Sequence, residues 1–560
     1  MDSVIREAIS DTVESLGLEP IAFAVEHPAE VSHGDYSTNV AMVSAGTGDG
    51  NPREIAERIV TDLEGKIEHV DRIEIAGPGF INFYLTRDFF VQETARIQKA
   101  EKAWGCTEDQ RGEVVMFEYT SPNVFKPLHI GNLVGNIVGE SITRLLECAG
   151  ADVKRINYPS DIGLTVAKGV WGLNKTKGNP EKIDDLGEAY RKGNEAYEND
   201  EEAKKEIEAV NKALYTESDE KLNTLREKGI KTSRARLGEL CRLLGTKFNL
   251  EVFESEAGPI GQKMVKDHIA DGIFEESEGA IVFKGERHGL HTRVFLNSQG
   301  LPTYEAKDVG NFVLKQRTYP EWTQSIVVTG GEQREYFKVV TEALRELFPE
   351  AKDKVLMHIP TGFLTLTTGK MSSRKGNVLT GESLIEEVQK EAQKRAKESR
   401  ADDIETLSEQ IAVAALKYQI LKQKVGSDIV FNKEQALSFE GDSGPYLQYT
   451  HARIVSVLEK AKDAGVTPSL ASVPESAYAI EHVLYRFPEV VEEATELHEP
   501  HRLISYLTEL AGAFNSFYAK EKIADTSDEY APYKASITEA VGVTLKKGLY
   551  LLGIEAPEKM

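Results

Sequence analysis

Residues 118 to 132, EYTSPNVFKPLHIGN, bring together side chains that are suited to binding a phosphate. Lys126 and His129 are hydrogen-bond donors, and a helix-like apolar pattern begins just after Gly131. A helix that starts there directs its free N–H groups and positive dipole end at the preceding loop, which favours a bound anion. The stretch therefore predicts a phosphate site. The alternative is an ordinary turn, in which Gly131 serves backbone geometry and His129 is a satisfied polar side chain.

The flanking sequence indicates the elements that would position this loop. An apolar run at residues 114 to 117 is suited to a buried parallel strand, and the helical pattern from residue 133 ends at Gly150. Residues 154 to 158 have the pattern of a second strand. Residues 114 to 159 are thus predicted to form one βαβ unit. Its loop lies at the carboxyl end of the first strand, where open α/β sheets bind ligands.

A second cationic stretch, KMSSRKGN, lies far downstream at residues 370 to 377. Together with the first stretch it resembles the two signatures of class I aminoacyl-tRNA synthetases. Ser121, Pro122 and Asn123 resemble the arginyl branch of that class. The resemblance implies an enzyme that joins arginine to ATP as an acyl-adenylate and then transfers the acyl group to the terminal ribose of tRNA. Such catalysis consists mostly of positioning and charge stabilisation.

The resemblance places the ATP phosphates between the two stretches. Its catalytic donors and cations correspond to Lys126, His129, Asn132, Lys370, Arg374 and Lys375. Its nucleotide-contacting positions correspond to Pro122, Pro127, Leu128, His129, Ile130, Gly131, Asn132, Met371, Ser372 and Ser373. Mg²⁺ is expected to accompany ATP. Two residues depart from the usual signatures: Asn132 stands for a second histidine but keeps a donor, and Ser373 stands for a second lysine.

The side chain of arginine is a planar cation that carboxylates recognise best, so a pocket for it requires acidic residues. The resemblance places these carboxylates at Asp308 and Glu256. Tyr304 precedes Asp308 by four residues and would share its helix face. The full set that the resemblance assigns to substrate is Glu118, Ser121, Asn123, Asp161, Glu256, Tyr304, Asp308 and Gln333. The alternative for Asp308 is a solvated helix face.

The first 105 residues have the pattern of a separate α+β domain, with two amphipathic helices and a strand-turn-strand segment around residues 76 to 83. From spacing alone, that segment is a Gly/Pro turn with Phe80 and Phe83 in the core. It also resembles the N-terminal domain of arginyl-tRNA synthetases, which contacts the elbow of tRNA. The resemblance makes Phe80 and Asn82 candidates for stacking on and hydrogen-bonding an unpaired base.

The middle and end of the chain change character twice. Residues from about 166 to 250 are dense in Lys and Glu and have helical stripes, which predicts a helical insertion with a solvated face. Residues 285 to 380 contain three candidate strands of the second half of the sheet, at 292–296, 325–329 and 355–358.

From residue 381 the pattern is almost wholly helical, as in a bundle core. This part resembles the anticodon-binding bundle of arginyl-tRNA synthetases. Its candidate tRNA contacts are Tyr446, Gln448, Tyr449 and Arg453.

Composition limits the class of protein. The chain has 560 residues, of which 40% are hydrophobic and 28% charged, as in an ordinary globular protein with several domains. Its formal net charge of −24 argues against a protein that coats nucleic acid indiscriminately, but a tRNA partner needs only a local basic and aromatic surface. No apolar run approaches the roughly 18 residues of a membrane span, and the N-terminus lacks a signal pattern, so a cytoplasmic location is expected.

Cys106, Cys148 and Cys241 are isolated in the sequence, so neither a disulfide scaffold nor a structural zinc is indicated. The sequence as a whole predicts a multidomain α/β plus all-α protein. A small N-terminal α+β domain (1–105) precedes a Rossmann-like parallel-sheet catalytic domain (106–380, with the insertion around 166–250) and a C-terminal helical bundle (381–560). The resemblance implies a monomeric ligase with L-arginine, ATP and tRNA(Arg) as substrates. The alternatives are a catalytically silent tRNA-binding relative and an enzyme of another class I specificity.

Overall fold

An antiparallel sheet packed against helices forms the N-terminal part of the chain. The computed structural model describes residues 1–46, 50–367, 380–397, 399 and 401–560. In the N-terminal part of the chain the strands are β1 (Val25–Glu26), β2 (Tyr36–Thr38), β3 (Val70–Ala76) and β4 (Phe80–Leu85), and the helices are α1 (Asp2–Ser15), α2 (Val40–Gly46), α3 (Pro52–Leu63) and α4 (Arg87–Ala100). The strand order is β1-β2-β4-β3, with antiparallel pairing throughout. This confirms the predicted α+β domain.

The central part of the chain contains the sheet that positions the candidate phosphate loop. The strands of this central part are β5 (Val114–Glu118), β6 (Asp152–Asn157), β7 (Leu250–Glu251), β8 (Phe274–Ser277), β9 (Ala280–Phe283), β10 (Arg293–Leu296), β11 (Gln324–Gly330) and β12 (Val355–Thr361). Its helices are α5 (Ile130–Cys148), α6 (Leu164–Thr176), α7 (Ile183–Asn199), α8 (Glu201–Thr216), α9 (Glu220–Leu243), α10 (Glu254–Asp267), α11 (Tyr304–Thr318) and α12 (Arg334–Leu347).

Five of these strands form a parallel sheet in the order β12-β11-β5-β6-β7. Val115 and Phe117 of β5 join one core with the buried face of α5, and Met116 joins a second apolar cluster, so the run at 114–117 forms a strand that is buried on both faces. The carboxyl ends of β5, β6 and β11 meet at one edge of the sheet. This confirms the Rossmann-like prediction and places the loop after β5 at that edge.

The predicted strand at 292–296 forms, but its assignment to the second half of the parallel sheet was wrong. It is β10, which pairs antiparallel with β9 in a separate three-stranded sheet of order β10-β9-β8. An alternating apolar pattern specifies an extended conformation and a buried face, but it does not specify a partner. Here a short connection from β9 closes an antiparallel pair at a smaller entropic cost than a longer crossover would.

The segment predicted as a helical insertion forms α6, α7, α8 and α9, which enclose an apolar cluster. Buried residues such as Ile207 and Leu214 lie on one face of α8, while its Lys and Glu side chains remain exposed. The prediction of a solvated face is correct for this helix. The same cluster also contains Val124 and Phe125 from the loop after β5, so the insertion packs directly against the candidate site.

A helical bundle forms the C-terminal part of the chain. Its helices are α13 (Gly381–Ala396), α14 (Ile404–Leu421), α15 (Lys433–Ala436), α16 (Gly444–Asp463), α17 (Glu481–Leu484), α18 (Phe487–Glu496), α19 (Pro500–Lys520) and α20 (Ala531–Leu551), and the short strands β13 (Leu364–Leu366) and β14 (Ile429–Phe431) pair in parallel. The N-terminal domain contacts this bundle through polar side chains. Tyr36 donates to Glu489 over 2.7 Å, and Asp35 lies 2.6 Å from the ring of His482.

The sequence pattern indicated no disulfide, but the structure contains one. Cys106 and Cys148 form a disulfide that links the segment before β5 to the last residue of α5. They are 42 residues apart, and only the return of α5 along the sheet brings them together. Cys241 is buried and free, and burial raises the pKa of its thiol to about 12. Among the described helices, none has the length and apolar character needed to cross a membrane.

Candidate active site

The loop between β5 and α5 has an unusual backbone that hydrogen bonds hold in place. Thr120, Ser121 and Phe125 have φ angles of 78°, 41° and 66°, in the left-handed region that non-glycine residues seldom adopt. The side-chain Nδ2 of Asn132 donates to the Thr120 carbonyl over 2.7 Å, and the side-chain Nδ2 of Asn136 donates to the Thr120 hydroxyl over 2.9 Å. The first turns of α5 therefore fix the beginning of the loop.

His129 is the N-cap of α5. Its Nδ1 accepts a hydrogen bond from the N–H of Gly131 over 3.1 Å, which leaves Nε2 as the nitrogen that carries the ring proton. Burial and the nearby charge of Lys126 lower the pKa of His129 below its ordinary value, so the ring is neutral at pH 7. The site thus presents a neutral N–H donor beside the positive end of a helix, an arrangement suited to phosphate oxygens.

Asn132 occupies a different role from the one that the sequence predicts. Its amide nitrogen donates to Thr120, and its Oδ1 accepts a 3.2 Å hydrogen bond from the N–H of His129. Both polar ends of the amide are therefore engaged within the loop and cap. This geometry supports a positioning role for Asn132 rather than direct donation to a phosphate.

Of the remaining residues predicted to contact the phosphates, one group lies in the loop before α5 and in its first turn, and the other lies far downstream. Lys126 lies 5.7 Å from the ring centre of Tyr190 in α7, and Leu128 is buried with its N–H donating to Glu382 over 2.9 Å. Pro122, Pro127, Ile130 and Gly131 flank these residues in the same loop and first helical turn. The cationic stretch containing Lys370, Met371, Ser372, Ser373, Arg374 and Lys375 lies outside the described residues.

An acidic pocket lies beside the loop, at the end of β5. Glu118 is buried and accepts hydrogen bonds from Lys315 and Asn311, each over 2.8 Å. Asp308 on α11 accepts a 2.5 Å hydrogen bond from the hydroxyl of Tyr336 on α12. Burial is the main cause, and the negative charge of Glu118 the second, of a pKa of Asp308 that is raised to about 8. A cationic group beside Asp308 would restore its ionised form, so the pocket is suited to a ligand with positive charge.

The aromatic and amide residues predicted to accompany Asp308 lie on the elements that adjoin this pocket. Tyr304 begins α11 one turn before Asp308 and is 62% exposed, so a ligand can reach its ring. Gln333 is exposed and directly precedes α12, which carries Tyr336. Asn123 forms a backbone bridge to Ser160 at the carboxyl end of the neighbouring strand. The loops after β5 and β6 are thus joined to each other at the carboxyl edge of the sheet.

Asp161 is predicted to bind substrate, but the protein itself satisfies its carboxylate. One oxygen accepts from the N–H of Ser255 over 2.9 Å, and the other accepts from the Ser255 hydroxyl over 2.6 Å and from Arg226 over 2.7 Å. The residue is also buried. Asp161 therefore joins the loop after β6 to α9 and to the start of α10, which supports a positioning role.

The second predicted carboxylate, Glu256, lies away from the pocket. It is exposed in the first turn of α10, where it accepts from the N–H of Phe253 over 3.2 Å in a capping box. The carboxylate on the inner face is Glu254, which is buried and pairs with Lys307 over 2.6 Å. Helical periodicity is the signal that identifies it, since Glu254 falls on the same face as the buried residues Ala257, Gly258, Gly261 and Val265.

The candidate RNA contacts of the N-terminal domain differ in exposure. Phe80 is 41% exposed at the start of β4, as a stacking residue would be. Asn82, two residues along the same strand, is buried, and its Oδ1 accepts from the hydroxyl of Ser37 over 2.8 Å. The ring of Phe80 is therefore accessible to a partner, whereas the side chain of Asn82 joins two strands of the sheet.

The candidate RNA contacts on α16 also differ in exposure. The guanidinium of Arg453 lies 4.8 Å from the ring centre of Tyr449, which is 37% exposed. The hydroxyl of Tyr446 accepts from Asn515, which in turn accepts from Arg453. Gln448 is on the other face and is fully buried, with its amide donating to two backbone carbonyls. Its geometry supports a role in bundle packing rather than RNA contact.

A parallel sheet with a helix-capped phosphate loop, an acidic pocket at the same edge and an appended helical bundle define a class I aminoacyl-tRNA synthetase. The family model described as tRNA synthetases class I (R), catalytic domain, matches residues 94–433. The arginyl tRNA synthetase N-terminal domain matches residues 3–85, and the DALR anticodon binding domain matches residues 447–560. The chain belongs to the arginyl-tRNA synthetase family.

Individual relatives match along the whole chain. The arginine–tRNA ligase of Borreliella burgdorferi is 30% identical over 100% of this chain and 97% of its own length. That of Treponema denticola is 30% identical over 99% of both chains. Among solved structures, the arginyl-tRNA synthetase of Thermus thermophilus has a TM-score of 0.83 and 26% identity, with 100% of both chains covered. The family resemblance indicated by the sequence motifs is confirmed.

Proposed function

We propose that this protein is an ATP-dependent arginine–tRNA ligase. It activates L-arginine with ATP to arginyl-adenylate and transfers arginine to the terminal ribose of tRNA(Arg), with release of diphosphate and AMP. The observation that carries the choice of amino acid is the pocket of Asp308 and Glu118 at the carboxyl end of β5. A buried, partly uncompensated acidic pocket favours a substrate whose side chain is always cationic.

The amino-acid side of the reaction depends on charge. Lys315 neutralises Glu118, whereas Asp308 receives only a hydroxyl hydrogen bond among its described contacts. The guanidinium of arginine would complete the pairing of Asp308 and donate to it in planar fork geometry. Tyr304, one turn before Asp308 on α11, has an exposed ring that would contact the bound arginine. These contacts would fix the substrate so that its carboxylate approaches the α-phosphate of ATP in line with the departing diphosphate.

The nucleotide side depends on the loop before α5. The Nε2–H of His129, the charge of Lys126 and the free N–H groups of the helix supply donors without a covalent step. Mg²⁺ enters with ATP as part of the nucleotide substrate. The described residues contain no group of three or more His, Cys, Asp or Glu side chains that could hold a metal ion by themselves.

The function is tested by arginine-dependent exchange of labelled diphosphate into ATP, with and without tRNA(Arg). L-Citrulline, a neutral analogue of nearly the same shape, and L-lysine, a cation without a planar fork, are the matched controls. We expect exchange with arginine and at least about 10⁴-fold lower kcat/KM with citrulline, as in sites built around a buried polar partner. Absence of exchange under both conditions would indicate a catalytically silent tRNA-binding relative, and preference for another amino acid would indicate another specificity.

The raised pKa of Asp308 predicts a pH dependence for arginine binding. Only the ionised carboxylate pairs with the guanidinium, and its fraction in the free enzyme rises as the pH rises through about 8. Below that pH, arginine binding must release a proton, so the KM for arginine should fall by up to about tenfold per pH unit as the pH rises toward 8. Exchange assays between pH 6.5 and 8.5 measure this. The KM for ATP is the control, and an equal pH dependence of both constants would contradict the assignment.

Phe80 is proposed to stack on an unpaired base of tRNA. Phe80→Ala should raise the KM for tRNA by roughly 5- to 150-fold, since base–aromatic stacking contributes about 1–3 kcal/mol. Arginine-dependent exchange should not change. Val31→Ala removes another exposed apolar side chain from the same domain, 43% exposed in the wild type, and is the matched control. If both variants raise the KM for tRNA equally, Phe80 has no specific contact.

The working state and location are also part of the proposal. The protein acts as a monomer in the cytoplasm, with its domains divided near residues 105 and 380. The polar contacts of Tyr36, Asp35, His482 and Glu489 join the first and last domains within one chain. Light scattering of the purified protein at assay concentration measures the oligomeric state, and a mass near twice 62.1 kDa would contradict this part of the proposal.

A further inference from the structure

Phe125, in the loop that precedes α5, lies inside the core of the helical insertion. Its side chain is 1% exposed and belongs to the same apolar cluster as Val166 and Val170 of α6, Leu186 of α7 and Leu222 of α9. The loop that carries Lys126 and His129 is thus attached to the insertion by a large buried ring. Full burial of an aromatic side chain of this size is a major apolar contact.

Two glycines of the insertion make room for this ring. A Cβ atom at Gly229 of α9 would lie 2.2 Å from Cζ of Phe125, and one at Gly169 of α6 would lie 2.8 Å from Cδ1. Neither glycine needs its conformational freedom for a turn, since both lie within helices. Gly169 and Gly229 therefore form a socket whose shape fits Phe125, and no larger residue fits at either position without displacing the ring.

Polar contacts extend the attachment along the loop. The N–H of Phe125 donates to the hydroxyl of Ser233 on α9 over 3.0 Å. Arg236, one turn further along α9, donates to Glu382 over 3.0 Å, and the other oxygen of Glu382 accepts from the N–H of Leu128 over 2.9 Å. The insertion thus contacts the loop at residues 125 and 126, and reaches residue 128 through Glu382.

The loop requires such support because its backbone is strained. Left-handed conformations at non-glycine residues persist only where surrounding contacts over-determine them, and Thr120, Ser121 and Phe125 are of this kind. The first turns of α5 hold Thr120 through Asn132 and Asn136. At Phe125 the described contacts come from the insertion, namely the socket and the hydroxyl of Ser233.

We propose that the insertion, residues 164–243, is a positioning device for the phosphate loop and that Phe125 is the residue through which it acts. The socket of Gly169 and Gly229 fixes the φ angle of Phe125 and thereby places Lys126 and His129 against the phosphates of ATP. The inference rests on the proposed function for the identity of the nucleotide. The socket itself is a property of the fold.

The test compares two Gly→Ala substitutions in the same helix. Gly229→Ala adds a methyl group against Phe125, whereas a Cβ at Gly238, nine residues further along α9, meets nothing within 4 Å. Both substitutions raise helix propensity equally. We expect Gly229→Ala to lower kcat for arginine-dependent exchange by about 10²-fold, as small displacements of catalytic groups do, with the KM for tRNA within about twofold. Gly238→Ala should match the wild type in both.

A second measurement does not depend on activity. Hydrogen exchange of the backbone amides in residues 118–132 should be at least about tenfold faster in Gly229→Ala than in Gly238→Ala, because the loop is no longer held. Phe125→Leu in the Gly229→Ala background should restore slow exchange and most of the activity, since the smaller side chain leaves space for the methyl group. A merely structural role would lower the thermal midpoint of Gly229→Ala and leave both its kcat and the amide exchange of residues 118–132 at the values of Gly238→Ala.

The outcomes separate the inference from the proposed function. If the wild type lacks arginine-dependent diphosphate exchange, the proposed function is wrong, and amide exchange still tests the socket. If Gly229→Ala and Gly238→Ala have the same kcat and the same amide exchange, the positioning role is overturned. Should Gly229→Ala fail to fold, Ser233→Ala replaces it. This variant removes the acceptor of the Phe125 N–H without adding atoms, and unchanged kcat and amide exchange in it would overturn the inference equally.

Discussion

Asp308→Asn is expected to lower kcat/KM for arginine by roughly 30- to 5,000-fold, because removing one partner of a buried charge pair costs about 2–5 kcal/mol. The substitution preserves the shape of the side chain and an oxygen that can accept from Tyr336, so α11 and α12 should keep their packing. The loss should appear mainly in the KM for arginine, since the guanidinium is bound in both the ground state and the transition state. Arginine-dependent diphosphate exchange measures both constants.

Two controls separate a lost charge from a damaged fold. Glu256→Gln removes a carboxylate from the exposed first turn of α10, and it should leave kcat/KM for arginine within about twofold of the wild type. The pKa of Asp308 is higher in the folded, ligand-free enzyme than in the unfolded chain. The free energy of unfolding therefore falls as the pH rises from the ordinary pKa of an aspartate toward 8. Asp308→Asn should therefore be at least as stable as the wild type above pH 8. A kcat/KM near the wild-type value would remove Asp308 from the arginine pocket.

His129→Asn is expected to lower kcat for adenylate formation by about 10²–10³-fold, the usual effect of removing one preorganised donor. Asparagine is a favoured N-cap, so its side-chain oxygen can still accept from the N–H of Gly131 and preserve the start of α5. The variant therefore removes the imidazole Nε2–H while keeping the cap. Pre-steady-state measurement of the adenylation rate is the appropriate assay, because the effect belongs to the chemical step.

The comparison with His129→Ala isolates the two roles of this residue. Alanine removes both the donor and the cap, and loss of the cap should lower the free energy of unfolding by about 1 kcal/mol. His33→Asn, a substitution of an exposed histidine in the N-terminal domain, is the control and should have no effect on the adenylation rate. If His129→Asn changes only the KM for ATP, the imidazole binds the ground state and does not stabilise the transition state.

The sequence alone was sufficient where the determining interactions are local. The strand at 114–118 and the helix that begins at Ile130 follow from apolar periodicity and from the residues that surround Gly131. Tyr304 and Asp308 share one face of α11 because they are four residues apart in a helix. The loop before α5, the helix that carries Asp308 and the order of the domains could therefore be predicted, and the motif resemblance indicated the family.

Side chains whose role depends on burial were harder to assign. Glu254 and Glu256 are both acidic and both lie in the first turn of α10, and only their opposite helix faces distinguish the inner carboxylate from the exposed one. Asn132, Asp161 and Gln448 belong to sequence motifs of the expected kind, but hydrogen bonds within the protein engage their polar groups, from the same loop for Asn132 and from distant segments for Asp161 and Gln448. A motif specifies which residue is present, whereas its partners are set by the packing around it.

Only the tertiary structure decided which distant segments meet. It pairs β10 with β9 instead of with the parallel sheet, joins Cys106 to Cys148, and places the ring of Phe125 between Gly169 and Gly229. Each of these contacts joins residues whose local sequence patterns carry no information about the partner, because apolar periodicity encodes a face and a burial but not the surface it meets. The chain thus encodes its helices, strands and reactive groups locally, while the positions of those groups relative to one another arise from long-range packing that forms only in the folded protein.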